Sequence, residues 1–339
     1  MSEYCERNEL KMAEQGIKGE LDRLKLEDHI PLRTPLRVLL EASSYCNFRC
    51  SFCPHGNSEA ERLMPRSIIS TALAEKCIRD LSAFRDKVKT LAFVSFGEPL
   101  VNKALPDIVK MAVECEVAEK YEITTNASLL TEALSERLIS AGLSLINISI
   151  YGLNDSKYKE FSDAEVSFDE IVRSIAYLHS ISGNAQVVVK ISDAVCDTET
   201  EQAEFYSIFS SVCDKICIEH AVPLWYDLHE GEISALDIYG NHVAHKEVCP
   251  VPFFTMSINA SGVVSPCCND WKNMLTMGEA NVESLESIWS GTAFRDLQRR
   301  LLSGGTSSLY PCSNCKYHEM VAIDNIDPFR SELLERLTT

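Results

Sequence analysis

Short apolar runs rich in β-branched residues alternate along the chain with longer stretches in which apolar residues recur with a helical period. A short run of this kind predicts a β-strand, and the longer period predicts an amphipathic helix. Helical periodicity covers 67–82, 131–142 and 168–180. The predicted strands are RVLLEA (37–42), TLAFVSF (90–96), YEITTN (121–126), LINISIY (145–151), QVVVKIS (186–192) and KICIEH (215–220). This alternation predicts a parallel sheet with helices packed on its outer face.

Six strand–helix units predict a partial (β/α)6 barrel over residues 35–220, an α/β fold that is open on one side. A closed barrel of this type needs eight units. A flat, doubly wound sheet is the alternative that periodicity leaves open. Ahead of the barrel, residues 1–34 predict an N-terminal segment that is helical or irregular.

The pattern changes after the sixth strand. Residues 221–248 have the composition of a linker, and 249–318 predict a small α+β domain rich in cysteine. Within that domain, FTMSINA and VVSPCC flank a Ser-Gly turn and predict a hairpin. The periodicity of 282–302 predicts one helix. The tail, 319–339, ends in a segment that we expect to form a docked helix.

The charge balance limits the partners that the protein can have. Its 339 residues include 32 Lys and Arg against 50 Asp and Glu, which gives a formal net charge of −18. Binding to the phosphate backbone of nucleic acid needs clustered Lys and Arg, so we expect no nucleic acid partner. No apolar run approaches the roughly 20 residues of a membrane span, and the charged N-terminus lacks the apolar core of a signal peptide. We therefore expect a cytoplasmic protein with no membrane partner.

Fourteen cysteines are the most informative feature of the composition. In a reducing compartment, cysteines at short spacing indicate metal or redox sites rather than disulfides. Cys46, Cys50 and Cys53 form a C-x3-C-x2-C pattern after the first strand, at the carboxyl edge where the sites of α/β barrels gather. Three thiolates leave one iron of a cubane cluster open. With His55 as a fourth ligand, the same loop would instead suit a structural zinc ion.

This loop resembles the cluster-binding loop of the radical S-adenosylmethionine (radical SAM) superfamily, and the resemblance extends over roughly residues 35–220. It implies that Cys46, Cys50 and Cys53 hold a [4Fe–4S] cluster whose open iron binds S-adenosylmethionine (SAM). One electron, supplied by a reducing partner such as flavodoxin or ferredoxin, would then cleave SAM to a 5′-deoxyadenosyl radical. Phe52 matches the aromatic residue that lies beside the adenine in this superfamily.

Three further strand ends resemble positions at which the same superfamily binds SAM. The FGEP sequence at 96–99 follows the second strand and contains Gly97 and Glu98. The resemblance implies that Glu98 contacts the amino group of the methionine part of SAM. Asn126 and Ser149, at the ends of the third and fourth strands, resemble contacts to the ribose and the carboxylate. A capping or turn role is the alternative for these last two residues.

A second set of four cysteines, Cys249, Cys267, Cys312 and Cys315, lies in the C-terminal region. Four thiolates suffice for a zinc site or for a fully ligated cluster. The order and spacing of residues 249–315 resemble the twitch form of the SPASM extension. That resemblance implies one auxiliary [4Fe–4S] cluster held by these four thiolates, and zinc remains the competing interpretation of the spacing.

The other cysteines are not implied ligands. Cys268 is predicted to pack beside Cys267, and exchange with it as a ligand is the alternative. Cys77 and Cys115 lie within apolar helical patterns and are predicted to be buried as small hydrophobic residues. Cys5 lies in the charged N-terminal segment and has no assigned role.

The resemblance implies hydrogen abstraction from a carbon of a polar small molecule, such as a sugar, a nucleotide-sugar or an aminocyclitol. An auxiliary cluster can take up the second electron, which favours oxidation of a secondary alcohol to a ketone by an oxidoreductase of dehydrogenase type. Twitch-bearing enzymes of the resembling group include an aminocyclitol alcohol dehydrogenase and epimerases that return a hydrogen atom from a cysteine thiol. A peptide-modifying maturase and a non-enzymatic iron–sulfur or zinc-binding module are the remaining alternatives.

Strand alternation nominates candidate catalytic residues. Alternate residues of a strand share one face, so if Ser149 faces the barrel interior, Tyr151 does so too. On the next strands, Lys190 is a candidate phosphate anchor or base, Cys217 a candidate thiol donor and Glu219 a candidate base. The respective alternatives are a structural salt bridge, a core thiol and a solvated loop entry.

Overall fold

Nine strands form one sheet in the computed structural model, which describes residues 24–228 and 234–338. The strands are β1 (Arg37–Leu40), β2 (Val88–Ala92), β3 (Ala118–Thr125), β4 (Leu145–Ile150), β5 (Gln186–Ser192), β6 (Lys215–Glu219), β7 (Thr255–Ile258), β8 (Val263–Ser265) and β9 (Gly278–Glu279). Their order in the sheet is β6-β5-β4-β3-β2-β1-β7-β8-β9. All pairs from β6 to β7 are parallel, and β8 and β9 pair in antiparallel fashion.

Helices connect the strands, and several of them begin at side-chain caps. The α-helices are α1 (Leu26–His29), α2 (Ser58–Leu63), α3 (Thr71–Ser82), α4 (Leu105–Glu114), α5 (Glu132–Ser140), α6 (Asp155–Ser162), α7 (Phe168–Ile181), α8 (Glu199–Phe209), α9 (Leu285–Trp289), α10 (Thr292–Gly304), α11 (Tyr317–Met320) and α12 (Arg330–Thr338). Ser70, Thr131 and Ser167 accept hydrogen bonds from the first-turn N–H groups of α3, α5 and α7. Among the described residues, no helix is long and apolar enough to cross a membrane.

The first six strands confirm the predicted partial barrel. They neighbour one another in chain order, whereas a doubly wound sheet reverses its strand order at a switch point. Along β4, the buried Ile146, Ile148 and Ile150 alternate with the partly exposed Asn147 and Ser149. The buried isoleucines belong to the large apolar core that also contains the inner faces of the helices. The partly exposed residues therefore face the barrel interior, and the sheet does not close, because β6 ends it at one edge.

The C-terminal hairpin extends the barrel sheet on the other side of β1. Strand β7 pairs with β1 in parallel, and β8 returns beside β7, which confirms the predicted hairpin. The turn is fixed by Asn259, whose Oδ1 accepts hydrogen bonds from the N–H groups of Ser261 and Val263 at 3.0 Å each. Gly262 completes the turn with φ of +103°, a conformation that favours glycine.

A second apolar core joins the two ends of the described chain. Leu26 from α1, Leu301 from α10 and Leu333 from α12 are all buried in it. The docked terminal helix predicted for the tail is confirmed as α12. Residues 1–23, which include Cys5, lie outside the described part of the chain.

Three predictions about local structure are wrong. The helix predicted over 282–302 is two helices, α9 and α10, because Gly291 adopts an extended conformation between them and caps α10. The second strand, predicted over 90–96, covers Val88–Ala92, so Phe96 lies in the loop after β2 together with the rest of the FGEP sequence. Cys115 is exposed because it is the C-cap of α4, beyond the buried face of that helix, whereas Cys77 is buried as predicted.

Candidate active site

The C-x3-C-x2-C loop leaves the carboxyl end of β1 and is fixed by its neighbours. The N–H of Ser44 donates to the carbonyl of Ser67 at 2.9 Å, and the N–H of Ser67 donates to Ser44 Oγ at 2.7 Å. The N–H of Cys53 donates to the carbonyl of Cys50 at 3.0 Å, so these two thiols share one tight turn. Cys50 is buried, and Cys46 and Cys53 are partly buried.

The three thiols lie close enough to influence one another. Burial raises the pKa of Cys46 to about 11 and that of Cys53 to about 12. The pKa of Cys50 is raised further, by burial and by the charges of both neighbours. Among the described residues, no three His, Cys, Asp or Glu side chains surround a single metal position. Three shielded thiols on one short loop nevertheless fit an iron–sulfur cluster, because such clusters are held by cysteine thiolates spread over several irons.

Two glycines let neighbouring loops lie directly on the cysteine loop. A Cβ added to Gly97 would lie 2.2 Å from the carbonyl oxygen of Ser43 and 2.6 Å from that of Tyr45. A Cβ added to Gly56 would lie 2.1 Å from the carbonyl oxygen of Cys50. The predicted site residue Gly97 therefore packs backbone to backbone against the loop that carries the first three thiols.

The carboxyl group of Glu98 joins the FGEP loop to the end of β3. Oε1 accepts hydrogen bonds from the Thr125 hydroxyl at 2.7 Å and from the N–H of Leu100 at 3.0 Å. Oε2 accepts one from the N–H of Asn126 at 2.8 Å. Burial raises the pKa of Glu98 to about 7, although these hydrogen bonds oppose the shift. The carboxyl group thus retains acceptor capacity, chiefly at Oε2, for a further donor.

Asn126 connects β3 to the cysteine loop through its side chain. Its Nδ2 donates to Oδ1 of Asn47 at 3.0 Å, and Asn47 lies directly after Cys46. Its Oδ1 accepts from the N–H of Ser128 at 3.0 Å, which is the turn role that the sequence left open. The structure therefore brings Asn126 to the cysteine loop and also gives it a turn-forming bond.

An aromatic group lies between the cysteine loop and the end of β4. The ring of Phe52 stacks on that of Tyr151, with centroids 6.0 Å apart and planes 13° apart. Tyr151 also meets the edge of Phe48 at 5.6 Å and hydrogen-bonds with the thiol of Cys50. Ser149 lies two residues before Tyr151, on the same face of β4. Strand alternation predicts Tyr151 on this face, but it does not predict the contact with a thiol.

The three candidate catalytic residues meet on one face of β5 and β6. Strand register places Lys190 beside Ser149 on one side and beside Cys217 on the other. Nζ of Lys190 donates to Oε1 of Glu219 at 3.1 Å, so the two charges pair. Burial raises the pKa of Cys217 to about 11, which keeps this thiol protonated near neutral pH.

An ion pair lower in the barrel was missed by the sequence analysis. Both terminal nitrogens of Arg37 donate to the two carboxylate oxygens of Glu122, at 2.9 Å each. Nδ2 of Asn147 donates to Oε1 of the same carboxylate at 3.0 Å. The available signal was a charged residue at the start of the apolar strand β1 and another between the apolar Tyr121 and Ile123 of β3.

The second set of thiols converges at the start of β7. Cys249 precedes β7, and Cys267 follows β8, which returns the chain to the level at which β7 begins. Cys312 and Cys315 share a turn, in which the N–H of Cys315 donates to the carbonyl of Cys312 at 3.2 Å. The pKa of Cys249 is raised by burial and by the charges of Cys315 and Cys312. Four mutually interacting thiols fit a fully ligated cluster.

The two thiol sets lie at opposite ends of one pair of strands. Strands β1 and β7 are in register from Arg37 beside Thr255 to Leu40 beside Ile258. The first set follows the carboxyl end of β1, and the second set lies at the amino end of β7. Four residues of parallel strand span roughly 13 Å. The barrel interior therefore opens between the two sets.

Polar side chains tie the auxiliary thiols to the residues after β6. Nδ2 of Asn269 donates to Sγ of Cys315 at 3.1 Å and to the carbonyl of Leu224 at 2.7 Å. Asp227 has φ of +62° and accepts hydrogen bonds from side chains on both loops that carry these thiols. Its donors are Tyr310 at 2.6 Å, Lys272 at 2.8 Å and Asn314 at 2.9 Å.

Cys268 has partners of its own beside the second thiol set. Its thiol hydrogen-bonds with Tyr317 and lies near the guanidinium of Arg37. These contacts are consistent with the predicted packed neighbour of Cys267. Ligand exchange between the two thiols stays a prediction.

The two cysteine regions correspond to known families. Residues 40–200 match the radical SAM superfamily, and residues 249–316 match SPASM, an iron–sulfur cluster-binding domain. Together the matches cover about two thirds of the chain and include both thiol sets. The chain belongs to the radical SAM superfamily and carries a C-terminal SPASM domain. These domains imply a SAM-binding [4Fe–4S] cluster and auxiliary iron–sulfur binding.

Curated relatives match up to half of this chain. The GTP 3′,8-cyclase of Aquifex aeolicus (strain VF5) is 29% identical over 146 residues, which are 42% of this chain and 44% of the relative. The GTP 3′,8-cyclase of Staphylococcus aureus (strain bovine RF122) is 26% identical over 180 residues, 50% of this chain and 49% of the relative. The match thus spans only about half the length of these relatives.

Solved structures share the fold over most of the chain. BtrN, crystallised with AdoMet and 2-DOIA, has a TM-score of 0.56 at 21% identity and covers 83% of this chain and 92% of its own. For anSMEcpe with bound AdoMet, the TM-score is 0.58 at 12% identity, with coverage of 90% and 98%. SuiB of Streptococcus suis, bound to precursor peptide SuiA, has a TM-score of 0.58 at 16% identity, with coverage of 87% and 73%. At these identities the likeness concerns the fold.

We predict that Gly97→Ala weakens both cluster retention and SAM binding. The added Cβ would overlap the backbone of the cysteine loop. Overpacking of this kind lowers the free energy of unfolding by about 1–3 kcal/mol. Iron content after reconstitution and the SAM dissociation constant measure the effect. Gly183→Ala is the control, because nothing lies within 4 Å of its added Cβ and its φ of +59° affects stability alone. Equal iron content and SAM affinity in Gly97→Ala and wild type would refute the prediction.

We predict that Glu98 makes the stability of the apo protein depend on pH. Its pKa is about 7 in the folded protein, against an ordinary value of 4.5. Because the folded pKa is raised, Glu98 stabilises the fold below about pH 4.5, and this contribution is lost as the pH rises through 7. The loss is on the order of 3 kcal/mol. Urea unfolding at pH 5 and pH 7.5 measures it.

Glu98→Gln should remove most of this difference between the two pH values. Glu160→Gln changes an exposed carboxyl group of α6 and should leave the difference as in wild type. An unchanged difference in Glu98→Gln would show that the carboxyl group is not the source of the pH dependence.

Proposed function

We propose that the protein is a radical SAM oxidoreductase that converts a secondary alcohol of a polar small molecule to a ketone. The substrate class would be a sugar, a nucleotide-sugar or an aminocyclitol. The proposed ligands are Cys46, Cys50 and Cys53 for the SAM-binding cluster and Cys249, Cys267, Cys312 and Cys315 for the auxiliary cluster. The observation that carries the proposal is the position of the two thiol sets at opposite ends of the β1–β7 pair, with the barrel interior between them.

The proposed SAM site consists of residues that reach the cysteine loop from neighbouring strands. It comprises Phe52, Gly97, Glu98, Asn126 and Ser149. Four of them support the proposal by direct contact: Gly97 packs on the loop, Glu98 and Asn126 are hydrogen-bonded to each other, and Phe52 belongs to the loop itself. Ser149 supports it by its place on the interior face of β4.

The proposed reaction oxidises the substrate by two electrons, because the first thiol set would support removal of a hydrogen atom and the second set removal of one electron. A cluster held by Cys46, Cys50 and Cys53 would, with SAM, supply the radical chemistry that removes a hydrogen atom from the carbinol carbon of the substrate. Glu219 would take the hydroxyl proton, and a cluster held by Cys249, Cys267, Cys312 and Cys315 would supply the acceptor for the remaining electron. A substrate bound between the two thiol sets would lie near both the SAM-binding cluster and the auxiliary cluster. A barrel with only the first thiol set would lack an acceptor for the second electron.

The Lys190–Glu219 pair supplies the proposed proton chemistry. Because Lys190 is paired with a carboxylate at 3.1 Å, we assign it as a donor that binds the substrate oxygen rather than as the base. Glu219 can accept the hydroxyl proton. Cys217 lies next to Lys190 in the strand register and keeps its S–H hydrogen near neutral pH. That hydrogen supports epimerisation as the alternative reaction, with Cys217 as the hydrogen donor.

Two other activities are alternatives that relatives suggest. The curated relatives are named GTP 3′,8-cyclases, which makes GTP a candidate substrate for the barrel. SuiB, solved with a precursor peptide, keeps peptide modification as a further alternative. We favour a small polar alcohol over a peptide because the Lys190–Glu219 pair and Asn147 offer polar groups suited to hydroxyl recognition.

We also propose the division of the chain into the barrel at 35–220, a linker at 221–248 and the auxiliary domain at 249–318. A one-electron donor such as flavodoxin or ferredoxin would reduce the SAM-binding cluster. The separate matches at 40–200 and 249–316 support this division.

We predict that the two thiol sets have separable roles. Cys53→Ala should abolish 5′-deoxyadenosine formation from SAM with dithionite, because the open-iron cluster loses a ligand. Cys315→Ala should retain 5′-deoxyadenosine formation while iron falls from about eight to about four per chain. Cys115→Ala, at an exposed thiol, should change neither quantity. Loss of SAM cleavage in Cys315→Ala with the first cluster intact would contradict separate roles.

Product mass separates the candidate reactions, with an aminocyclitol and GTP as the two probes. A product two hydrogens lighter than the aminocyclitol supports the proposed oxidation. Unchanged mass with deuterium uptake from solvent would indicate epimerisation, and conversion of GTP alone would indicate cyclase-type chemistry. Either of these outcomes contradicts the proposed oxidation.

A further inference from the structure

Lys246 is a buried cation beside the auxiliary thiol set. It is 6% exposed, and within the described residues it is the only lysine or arginine that is buried. Its ammonium donates to the carbonyl oxygens of Ala322 and Ile323, the latter at 3.5 Å. These acceptors are neutral carbonyl oxygens, and they orient the ammonium. A buried charge is costly unless an opposite charge compensates it.

The negative groups around Lys246 are three carboxylates and a thiol. Asp324 and Asp237 act most strongly on its charge, followed by Cys249, which is three residues further along the chain, and by Asp327. Both carboxylate oxygens of Asp327 accept backbone N–H groups, at 2.8 and 2.9 Å. Asp237 accepts two backbone N–H groups at 2.9 Å each. Two of the three carboxylates are therefore also engaged by other donors.

The auxiliary cluster would add a further negative charge near the ammonium of Lys246. Four thiolates outweigh the charge of a [4Fe–4S] core, and reduction adds one more negative charge. Net charge and local electrostatics set the reduction potential of such clusters. A fixed cation near the cluster stabilises the reduced form more than the oxidised form, and it does so most strongly where water is excluded.

We propose that Lys246 is a positioning residue that acts through the auxiliary cluster. Its buried charge raises the reduction potential of that cluster, so that the cluster accepts the electron of the substrate radical. This inference rests on the proposed function, in which Cys249, Cys267, Cys312 and Cys315 hold that cluster. Lys246 touches neither substrate nor reacting atoms, and it acts through the cluster.

Other cations near the auxiliary thiols should affect the reduction potential of the cluster less than Lys246 does. Arg37 acts on Cys268 but is paired with Glu122 at 2.9 Å. Lys316 acts on Cys315 but is 36% exposed and lies 3.3 Å from Glu319. Exposed or paired charges are screened by solvent and by their partners. Lys246 differs because it is buried and bound by neutral acceptors.

The test is a redox titration of the reconstituted holoenzyme, followed by electron paramagnetic resonance. Lys246→Met removes the charge at similar length. The equilibrium constant for reducing the auxiliary cluster should fall about tenfold, which is about 59 mV for a one-electron couple. Lys246→Arg should restore the wild-type value. Lys87→Met is the control, since that exposed lysine pairs with Glu116 at 2.8 Å away from both thiol sets and its loss should leave the potential unchanged.

Each outcome separates this inference from the proposed function. A lowered auxiliary potential with an unchanged SAM-site potential supports the role of Lys246. Loss of auxiliary iron in Lys246→Met but not in Lys246→Arg overturns it, because the charge would then retain the cluster rather than set its potential. Equal potentials in wild type and Lys246→Met, or iron loss in both variants, overturn the inference. Absence of an auxiliary cluster in the wild type would instead refute the proposed ligation itself.

Discussion

Strand β1 is hydrogen-bonded along both edges, to β2 of the barrel and to β7 of the hairpin, and the rest of the structure depends on this double pairing. Just beyond β1, the buried carboxyl group of Glu41 accepts the N–H of Phe96 at 3.2 Å and the N–H of Ala260 at 2.9 Å. One side chain therefore joins the loop before Gly97 to the turn of the hairpin. The cysteine loop that follows β1 is thereby held in a fixed relation to the auxiliary region.

Much of this arrangement is predictable from local sequence. Apolar runs and helical periods are local signals, so six strands in order and a partial barrel follow from them. Short cysteine spacings are local as well, which is why Cys46, Cys50 and Cys53 were found together on one loop. The pairing of β7 with β1 was not predictable, because it joins residues more than two hundred positions apart and leaves no periodic trace.

The missed features have physical causes. Arg37 begins β1 and Glu122 lies within β3, on the other side of β2, and only the order and register of these strands bring the two charges to 2.9 Å. Lys246 sits in a segment without periodicity, so nothing local distinguishes its buried ammonium from an exposed one. Gly291 divides a continuous helical period, because periodicity records the spacing of apolar residues and not the backbone conformation of one glycine. The burial of these charges and the interruption of this helix thus depend on tertiary structure rather than on local sequence.

The central claim is that two cluster sites at opposite ends of the β1–β7 pair act in one radical reaction. Iron and sulfide content of the anaerobically reconstituted protein, measured together with dithionite-driven SAM cleavage, tests it most directly. The account predicts about eight irons per chain and release of 5′-deoxyadenosine. About four irons with cleavage would contradict the auxiliary cluster and leave oxidation without an electron acceptor. Zinc at both sites and no cleavage would contradict the account as a whole.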